Sequence, residues 1–257
     1  MAQVIAMIPA RLQSSRLPEK LLLSETGKPL LQHTWEAASR AGCFERVIVA
    51  TDSERIAEAV REFGGEVEMT GEHASGTDRI AEVARRLDLP TDAVVVNVQG
   101  DEPELDPSQL DLLVETLRSR PDAQMATLAT PIESAEDRDS PSCVKVVMTQ
   151  DGTALYFSRA MIPFVRDEEP DELLKANSPW KLHIGVYAYR ADFLLKLADA
   201  SPSPLEQLEK LEQLRALELG GRIVVAEVRH PAIGIDTAED YARFARRVRY
   251  QREGEGE

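Results

Sequence analysis

The run Ala93-Val94-Val95-Val96-Asn97-Val98, followed at once by Gln99-Gly100-Asp101-Glu102-Pro103, decides the fold. It is apolar and β-branched, without the polar alternation of a strand that has one face in water. Such a run is a strand covered on both faces, the habit of parallel sheets. Upstream, Val4–Ile8 (VIAMI) and Val47–Ala50 (VIVA) have the same character. Amphipathic segments lie between them. Ser53 is placed to cap a helix carrying Ile56, Val60 and Phe63, which Gly64-Gly65 would end. Ser75-Gly76-Thr77-Asp78 fits a capping box ahead of Ile80, Val83, Ala84 and Leu87, an apolar stripe at helical spacing. Strand, helix, strand at this rhythm predicts right-handed βαβ units, hence an α/β fold with a largely parallel sheet and helices on both faces.

The second half is less regular. Strands are predicted at Met125–Thr130, Val144–Met148, His183–Tyr189 and Arg222–Val228, with an exposed acidic loop holding at most one helical turn over Arg166–Pro179. One helix is expected over Leu205–Leu219 and another from Thr237, burying Tyr241, Phe244, Ala245 and Val248. No repeat or Pro/Ser/Gly linker is visible, so residues 1–250 read as one domain and the acidic end, 251–257, as a disordered tail.

The chain has 257 residues, enough for a full core, and a formal net charge of −15. That balance argues against a general nucleic-acid or anionic-membrane binder, while leaving room for a local basic pocket. No apolar run approaches the ~20 residues of a membrane span. The first residues read as a strand, not a signal peptide, which would put its cations ahead of its apolar stretch. Cys43 and Cys143, without C-x-x-C spacing, read as reduced packing thiols in a cytoplasmic protein.

In open parallel sheets ligands sit at the carboxyl ends of the strands, so the loops there come first. The loop after the first strand has neither G-x-G-x-x-G nor a Walker lysine motif. It does gather Arg11, Arg16 and Lys20, with Ser14 and Ser15 between. Three cations at a strand end can neutralise a triphosphate; a solvated loop paired with surface acids is the alternative. Asp101, directly behind Gly100, is placed to hold Mg²⁺ against phosphate oxygens, or else to cap the next helix. Asp236 precedes a helix with a Thr237–Asp240 capping box, and on its own reads as a residue of that helix start. On a helix from Leu205, Glu212 falls among Leu205, Leu208, Ala216 and Leu219. An acid on that apolar face needs either a ligand or a buried Arg partner. His183, entering an apolar strand, reads as a core histidine.

In order, IPARLQSSRLPEK, HASGTDR, NVQGDEP, YFSRAMIP, HIGVYAYR, SPLEQLEKLEQLR and GIDTAED resemble the 3-deoxy-D-manno-octulosonate cytidylyltransferase (CMP-Kdo synthetase) family, from about Val4 to the final helix. The resemblance implies a three-layer α/β/α, Rossmann-like nucleotidyltransferase fold with a mostly parallel mixed sheet. It implies a homodimer that joins CTP to Kdo with Mg²⁺, giving CMP-Kdo and pyrophosphate for lipopolysaccharide synthesis. By motif, Arg11 and Lys20 match the triphosphate-binding cations, and Arg16 shares their loop. Ser75, Gly76, Thr77 and Arg79 match the segment near the nucleotide, and Asp101 and Asp236 the metal-binding pair. Gln99, Arg159, His183, Tyr187, Glu212 and Gln213 match positions lining the sugar-acid pocket. Phe157, Phe164, Trp180, Tyr187 and Tyr189 concentrate aromatic area where a subunit contact is expected; filling the core is the alternative.

One departure is Glu19, which stands where the family typically has glycine before the lysine. Pointed at a triphosphate it would weaken binding; pointed outward it would change little. The rivals are a cytidylyltransferase for a related 2-keto sugar acid (8-amino-Kdo or sialic acid), a sugar-1-phosphate nucleotidylyltransferase and a non-catalytic nucleotide-binding module. The glycine-rich G-x-G-x-R loop of the sugar-1-phosphate enzymes is absent. The retained carboxylates and cations argue against a module without catalysis.

Overall fold

The computed structural model describes residues 2–14, 16–229 and 234–254. Ser15 of the cation loop and the acidic end 255–257 lie outside the described residues. The chain divides into two compact units, the first formed by residues 1–89, 95–111 and 232–257, the second by 90–94 and 112–231.

The first unit begins with β1 (Val4–Ala10), α1 (Leu30–Ser39), β2 (Arg46–Thr51), α2 (Glu54–Glu62), β3 (Glu66–Met69), α3 (Gly76–Arg86) and β4 (Val94–Asn97). Its strands lie in the order β3-β2-β1-β4. β1 runs parallel to β2 from Ile5↔Arg46 to Ala10↔Thr51, and β2 parallel to β3. Val4 to Ile8 are fully buried, as the unalternating sequence predicts. Burying each such aliphatic side chain stabilises the fold by about 1.5–3 kcal/mol.

α4 (Pro107–Arg118) carries the chain into the second unit. There follow β5 (Met125–Pro131), α5 (Ala135–Asp139), β6 (Lys145–Met148), β7 (Ala154–Ser158), α6 (Pro170–Asn177), β8 (Lys181–Arg190), α7 (Ala191–Asp199), α8 (Pro204–Glu209), α9 (Gln213–Glu218) and β9 (Ile223–Glu227). β5 is antiparallel to β8 and parallel to β9, and β6 is antiparallel to both β7 and β8. α10 (Ala238–Gly254) returns to the first unit. The fold class is α/β with a mixed, mostly parallel set of strands, as the sequence indicates.

Two predicted caps form. Ser75 Oγ accepts from Asp78 N at 3.1 Å, and Thr237 and Asp240 exchange hydrogen bonds ahead of α10. Ser53 precedes α2 without a side-chain cap; its own N–H donates instead to Thr51 Oγ1 at 3.1 Å. Tyr241 and Phe244 of α10 pack with Leu30 and Ile235, and partly buried Val248 flanks them. The Tyr241 hydroxyl accepts from Glu25 N at 2.8 Å. This cluster fixes the approach to Asp236.

Four expectations need correction. The Arg166–Pro179 loop holds the eight-residue α6, with Pro170 in its first turn, where a missing N–H costs nothing. The acidic tail stays helical as far as Gly254. Of the aromatic set, Phe157 and Trp180 are fully buried and Tyr189 nearly so; they fill the core, and only Phe164 is largely exposed, at 77%. Finally, Leu205–Leu219 is not one helix. Lys210 adopts a left-handed conformation (φ 55°), which ends α8, and Glu212 becomes the residue preceding α9. A helical wheel drawn through that break misplaces Glu212, which is off the apolar face with its side chain 39% exposed.

The acid buried in this segment is Glu206. Arg215 grips it through Nε at 2.7 Å and Nη2 at 2.6 Å, and donates through Nη1 to the carbonyls of Leu197 and Ala200. Glu212 stands 3.9 Å from the same guanidinium. Removing one partner of a buried pair strands the other, at a cost of about 3–5 kcal/mol. Arg215→Met should therefore lower unfolding free energy by about 3 kcal/mol or more in chemical denaturation, and Glu212→Gln by less than about 1 kcal/mol. Equal losses would return the buried-partner role to Glu212.

Candidate active site

Three loops of the first unit meet at the ends of β1 and β4. The β1 loop closes in a 3-10 turn over Lys20–Leu22. Gln99, Gly100 and Asp101 follow β4, and Ile235 N donates to Asp101 O at 2.9 Å, drawing Asp236 alongside. Lys20 Nζ donates to Asp101 Oδ2 at 2.5 Å, to Asp236 Oδ1 at 3.2 Å and to Ile235 O at 2.8 Å. Arg16 Nη2 reaches Asp236 Oδ1 at 2.8 Å. Arg11, Arg16, Lys20, Gln99, Asp101 and Asp236 all line one cavity of about 270 Å³. The cations and carboxylates singled out in the sequence thus come together.

A neighbouring cavity of about 170 Å³ is lined by Arg11, Gln99, His73, Ser75, Gly76 and Arg79. Gly76 allows α3 to start hard against β1, since a Cβ there would stand 3.0 Å from Pro9 Cγ. Thr77 is buried, and Ser75 Oγ is engaged as the α3 cap. Arg79 is 3% exposed, its guanidinium held by Asp52 Oδ2 at 2.8 Å and Thr70 Oγ1 at 2.6 Å. It braces the loops around this cavity.

Glu19 resolves the question its sequence raised. Its backbone is left-handed (φ 51°), a conformation glycine reaches without cost, while its carboxylate forms a two-pronged pair with Arg55 of α2. That guanidinium holds the Glu19 carboxyl below its usual range. Glu102, unremarked in the sequence, has a buried Oε2 with no partner among the described residues. Burial, with the Asp101 charge beside it, pushes its pKa up to about 8, so at neutral pH it adds little negative charge next to Asp101.

The remaining candidates lie in the second unit. Half-buried His183 on β8 has its ring between Phe157, edge-on at 5.0 Å, and Tyr187 at 5.3 Å, with Nε2 3.0 Å from Thr127 Oγ1. Burial pushes its pKa down to about 3, so the imidazole is neutral, as a core histidine would be. Burial, then the neighbouring Tyr189 and Glu212, raises the Tyr187 pKa well above its ordinary value, so its hydroxyl keeps the proton. Gln213 is 4% exposed, and its buried Nε2 has no partner among the described residues. Arg159 Nε donates to Glu209 O at 2.7 Å and Nη1 to Pro141 O at 2.9 Å. Gln99, grouped with these residues by motif, lines the first-unit cavities.

Two residues that sequence reasoning passed over hold Arg159. Glu209 accepts from Ser158 Oγ at 2.6 Å and from Arg159 N at 2.9 Å. Lys145 is fully buried and donates to the carbonyls of Ser140, Cys143 and Arg159 at 2.6–2.9 Å. A lysine inside the apolar run Val144–Met148 was the available signal. No group of three or more His, Cys, Asp or Glu suited to a metal occurs among the described residues. A divalent ion on Asp101 and Asp236 would therefore complete its shell with water or ligand oxygens.

The family pattern described as cytidylyltransferase matches residues 5–223. A 3-deoxy-manno-octulosonate cytidylyltransferase of Rhodopirellula baltica is 50% identical over 248 residues, covering 95% of this chain and 98% of the relative. One of Syntrophobacter fumaroxidans is 51% identical over 240 residues, covering 93% and 94%. Among solved structures, a CMP:2-keto-3-deoxy-manno-octonic acid synthetase complexed with CTP superimposes with a TM-score of 0.89 at 38% identity, covering 97% of this chain and all of that one.

The environment of His183 makes a pH prediction. Its folded pKa, about 3, lies below the value of about 6.5 for an unfolded histidine. Below pH ~6.5 the unfolded chain takes up a proton that the folded one refuses, so this site costs stability as pH falls from ~6.5 towards ~3 and is neutral above ~6.5. Imidazole NMR should show the His183 ring unchanged from pH 8 to pH 5. A titration midpoint near 6.5 would contradict the lowered value and the shielding of the ring by Phe157, Tyr187 and Thr127.

Proposed function

The chain belongs to the 3-deoxy-manno-octulosonate cytidylyltransferase family, and on that premise we propose that it transfers CMP from CTP to Kdo, releasing pyrophosphate and forming CMP-Kdo for lipopolysaccharide synthesis. The observation that carries this reading is the convergence of Arg11, Arg16 and Lys20 with Asp101 and Asp236 on one cavity. The family pattern runs through both units, which supports treating residues 1–250 as one cytidylyltransferase domain.

In the transfer, the anomeric hydroxyl oxygen of the sugar acid forms a bond to the α-phosphorus of CTP. The bond from that phosphorus to the bridging oxygen breaks in line, pyrophosphate leaves with the electron pair, and the hydroxyl proton passes to solvent. Both reactants are anionic, so positioning and charge neutralisation are the main tasks. Arg11 and Lys20, with Arg16 beside them, neutralise the triphosphate and the departing pyrophosphate. Asp101 and Asp236 already converge on a single ammonium, and their hard oxygen donors suit Mg²⁺. When bound there, Mg²⁺ supplies positive charge at the reacting phosphate and makes the attacking hydroxyl more acidic. Ser75, Gly76 and Thr77 border the nucleotide, with Arg79 bracing the segment.

For the sugar acid, Arg159 offers the cation for its carboxylate, held at its angle by Glu209 and Lys145. Tyr187 and Gln213 supply hydrogen-bond donors to its hydroxyls, and the orphaned Gln213 Nε2 supports that role. Glu212 supplies an acceptor and neutral His183 shapes the wall, while Gln99 carries its sugar-acid assignment from the motif alone. The same reading makes the protein a cytoplasmic homodimer, with Phe164 the exposed aromatic left for a subunit contact. Among the described residues no helix is long and apolar enough to cross a membrane.

Pyrophosphate release measured with CTP and a panel of 2-keto sugar acids tests the function: Kdo should be the best acceptor, and preference for another acid would replace it. Asp101→Asn and Asp236→Asn should each cut turnover by ~10²-fold or more with the fold intact. Near-wild-type turnover in either would remove the metal-assisted scheme. Glu19→Gly, which deletes a carboxylate engaged with Arg55, should leave the Michaelis constant for CTP within about two-fold, as expected for an exposed pair. A several-fold improvement would mean that the acid faces the phosphates.

A further inference from the structure

Lys20 carries three N–H donors, and all three find oxygen: Asp101 Oδ2, Asp236 Oδ1 and Ile235 O. Its side chain is only 12% exposed, so the ammonium is enclosed by its partners and is not a mobile surface charge. Arg16 adds a second cation at the same Asp236 oxygen. Both carboxylates proposed for the metal are therefore already neutralised by the chain. A divalent ion placed on them would bring two further positive charges against an ammonium hydrogen-bonded to the same oxygens, where like charges repel strongly.

We propose that Lys20 is the resident counter-ion of this carboxylate pair, and that its ammonium and the divalent metal are alternative occupants of it. A triphosphate draws Lys20 Nζ away, and the carboxylates it leaves accept the metal. Lys20 thus has two anionic partners and serves them in turn. The consequence is coupling: metal affinity is low until nucleotide engages Lys20, and by linkage metal raises affinity for nucleotide to the same degree. Nucleotide phosphate and metal are then assembled together instead of the metal being held in advance. The inference rests on the reading of Asp101 and Asp236 as the metal pair.

Removing the cation should therefore strengthen metal binding in the absence of nucleotide. The probe is Mn²⁺ alone, titrated by electron paramagnetic resonance of the free ion against wild type, Lys20→Met, Lys20→Arg, Asp101→Asn and the double variant Lys20→Met/Asp101→Asn. Thermal melts would accompany each titration. Lys20→Met should bind Mn²⁺ about ten-fold or more tightly than wild type, within the usual range of site coupling. Lys20→Arg, which keeps a positive charge in the loop, should stay near wild type, and the double variant should lose the gain.

If Lys20→Met binds Mn²⁺ no tighter than wild type while Asp101→Asn weakens wild-type binding, the exchange is overturned and the metal pair stands. If the gain survives in the double variant, or if no variant binds Mn²⁺, the metal pair itself fails and the exchange with it. Should Lys20→Met not fold, Lys20→Gln offers the same loss of charge with a polar tip, and equal affinity to wild type there overturns the proposal.

Discussion

The site depends on one ammonium. Lys20 joins segments 81 and 216 positions apart in sequence, and its three oxygen contacts, with the Arg16–Asp236 pair beside them, hold the loop after β1 against Asp101 and Asp236. Enclosing charges costs desolvation, which attraction repays only where the geometry is close and the remaining donors are satisfied. Both conditions hold here. The parallel strands beneath supply the other half of the constraint: β1 and β4 end side by side, with Val98 N donating to Met7 O at 3.0 Å. Their loops therefore start from one edge of a rigid layer.

A second lysine in the molecule makes the contrast clear. Lys145 also satisfies three donors, but its acceptors are backbone carbonyls, dipoles that no ligand can neutralise or remove. Burial lowers its pKa, and among the described residues its hydrogen-bond acceptors are these carbonyls and not carboxylates. Such a lysine fixes backbone: it locks Ser140, Cys143 and Arg159 into one arrangement. Lys20 faces groups that themselves seek other cations. The chemistry of the acceptors, not the burial of the donor, separates a structural lysine from one suited to exchange partners.

The sequence discloses those parts of the molecule in which local pattern and environment coincide. Val94–Asn97 and Val4–Ala10 are buried on both faces, so their composition alone shows their place. Ser75 and Thr237 cap the helices they precede because the cap needs only residues three positions away. β3 is the opposite case: Glu66-Val67-Glu68-Met69 pairs only with β2 at the edge, so half-buried glutamates suffice there and no apolar run marks it. The break at Lys210 was hidden for another reason, since a left-handed lysine looks like any other lysine in a helical pattern. That single residue moved the buried acid from Glu212 to Glu206. Of the candidate site, the cations and carboxylates could be read from their loops, whereas the supports of Arg159 could not. Glu209 acts through a backbone N–H and Ser158, and no spacing rule links positions 50 apart.

Net charge sets the last condition on the proposed chemistry. A chain of formal charge −15 repels a triphosphate at long range, and at physiological ionic strength that repulsion is screened beyond about 8 Å. Capture then falls to the local field of the cavity, where Arg11, Arg16 and Lys20 set three positive charges against the two of Asp101 and Asp236. Protonation of Glu102 matters to this balance, because an ionised third carboxylate beside Asp101 would erase the single positive excess. In the proposed exchange, a divalent ion brought with the nucleotide would restore more than that excess and would leave Lys20 and Arg16 free to turn from the carboxylates to phosphate. On the proposed reading, an acidic surface with a narrowly cationic pocket would favour a small polyanion that fits the pocket over polymers of the same charge that would have to lie across the surface.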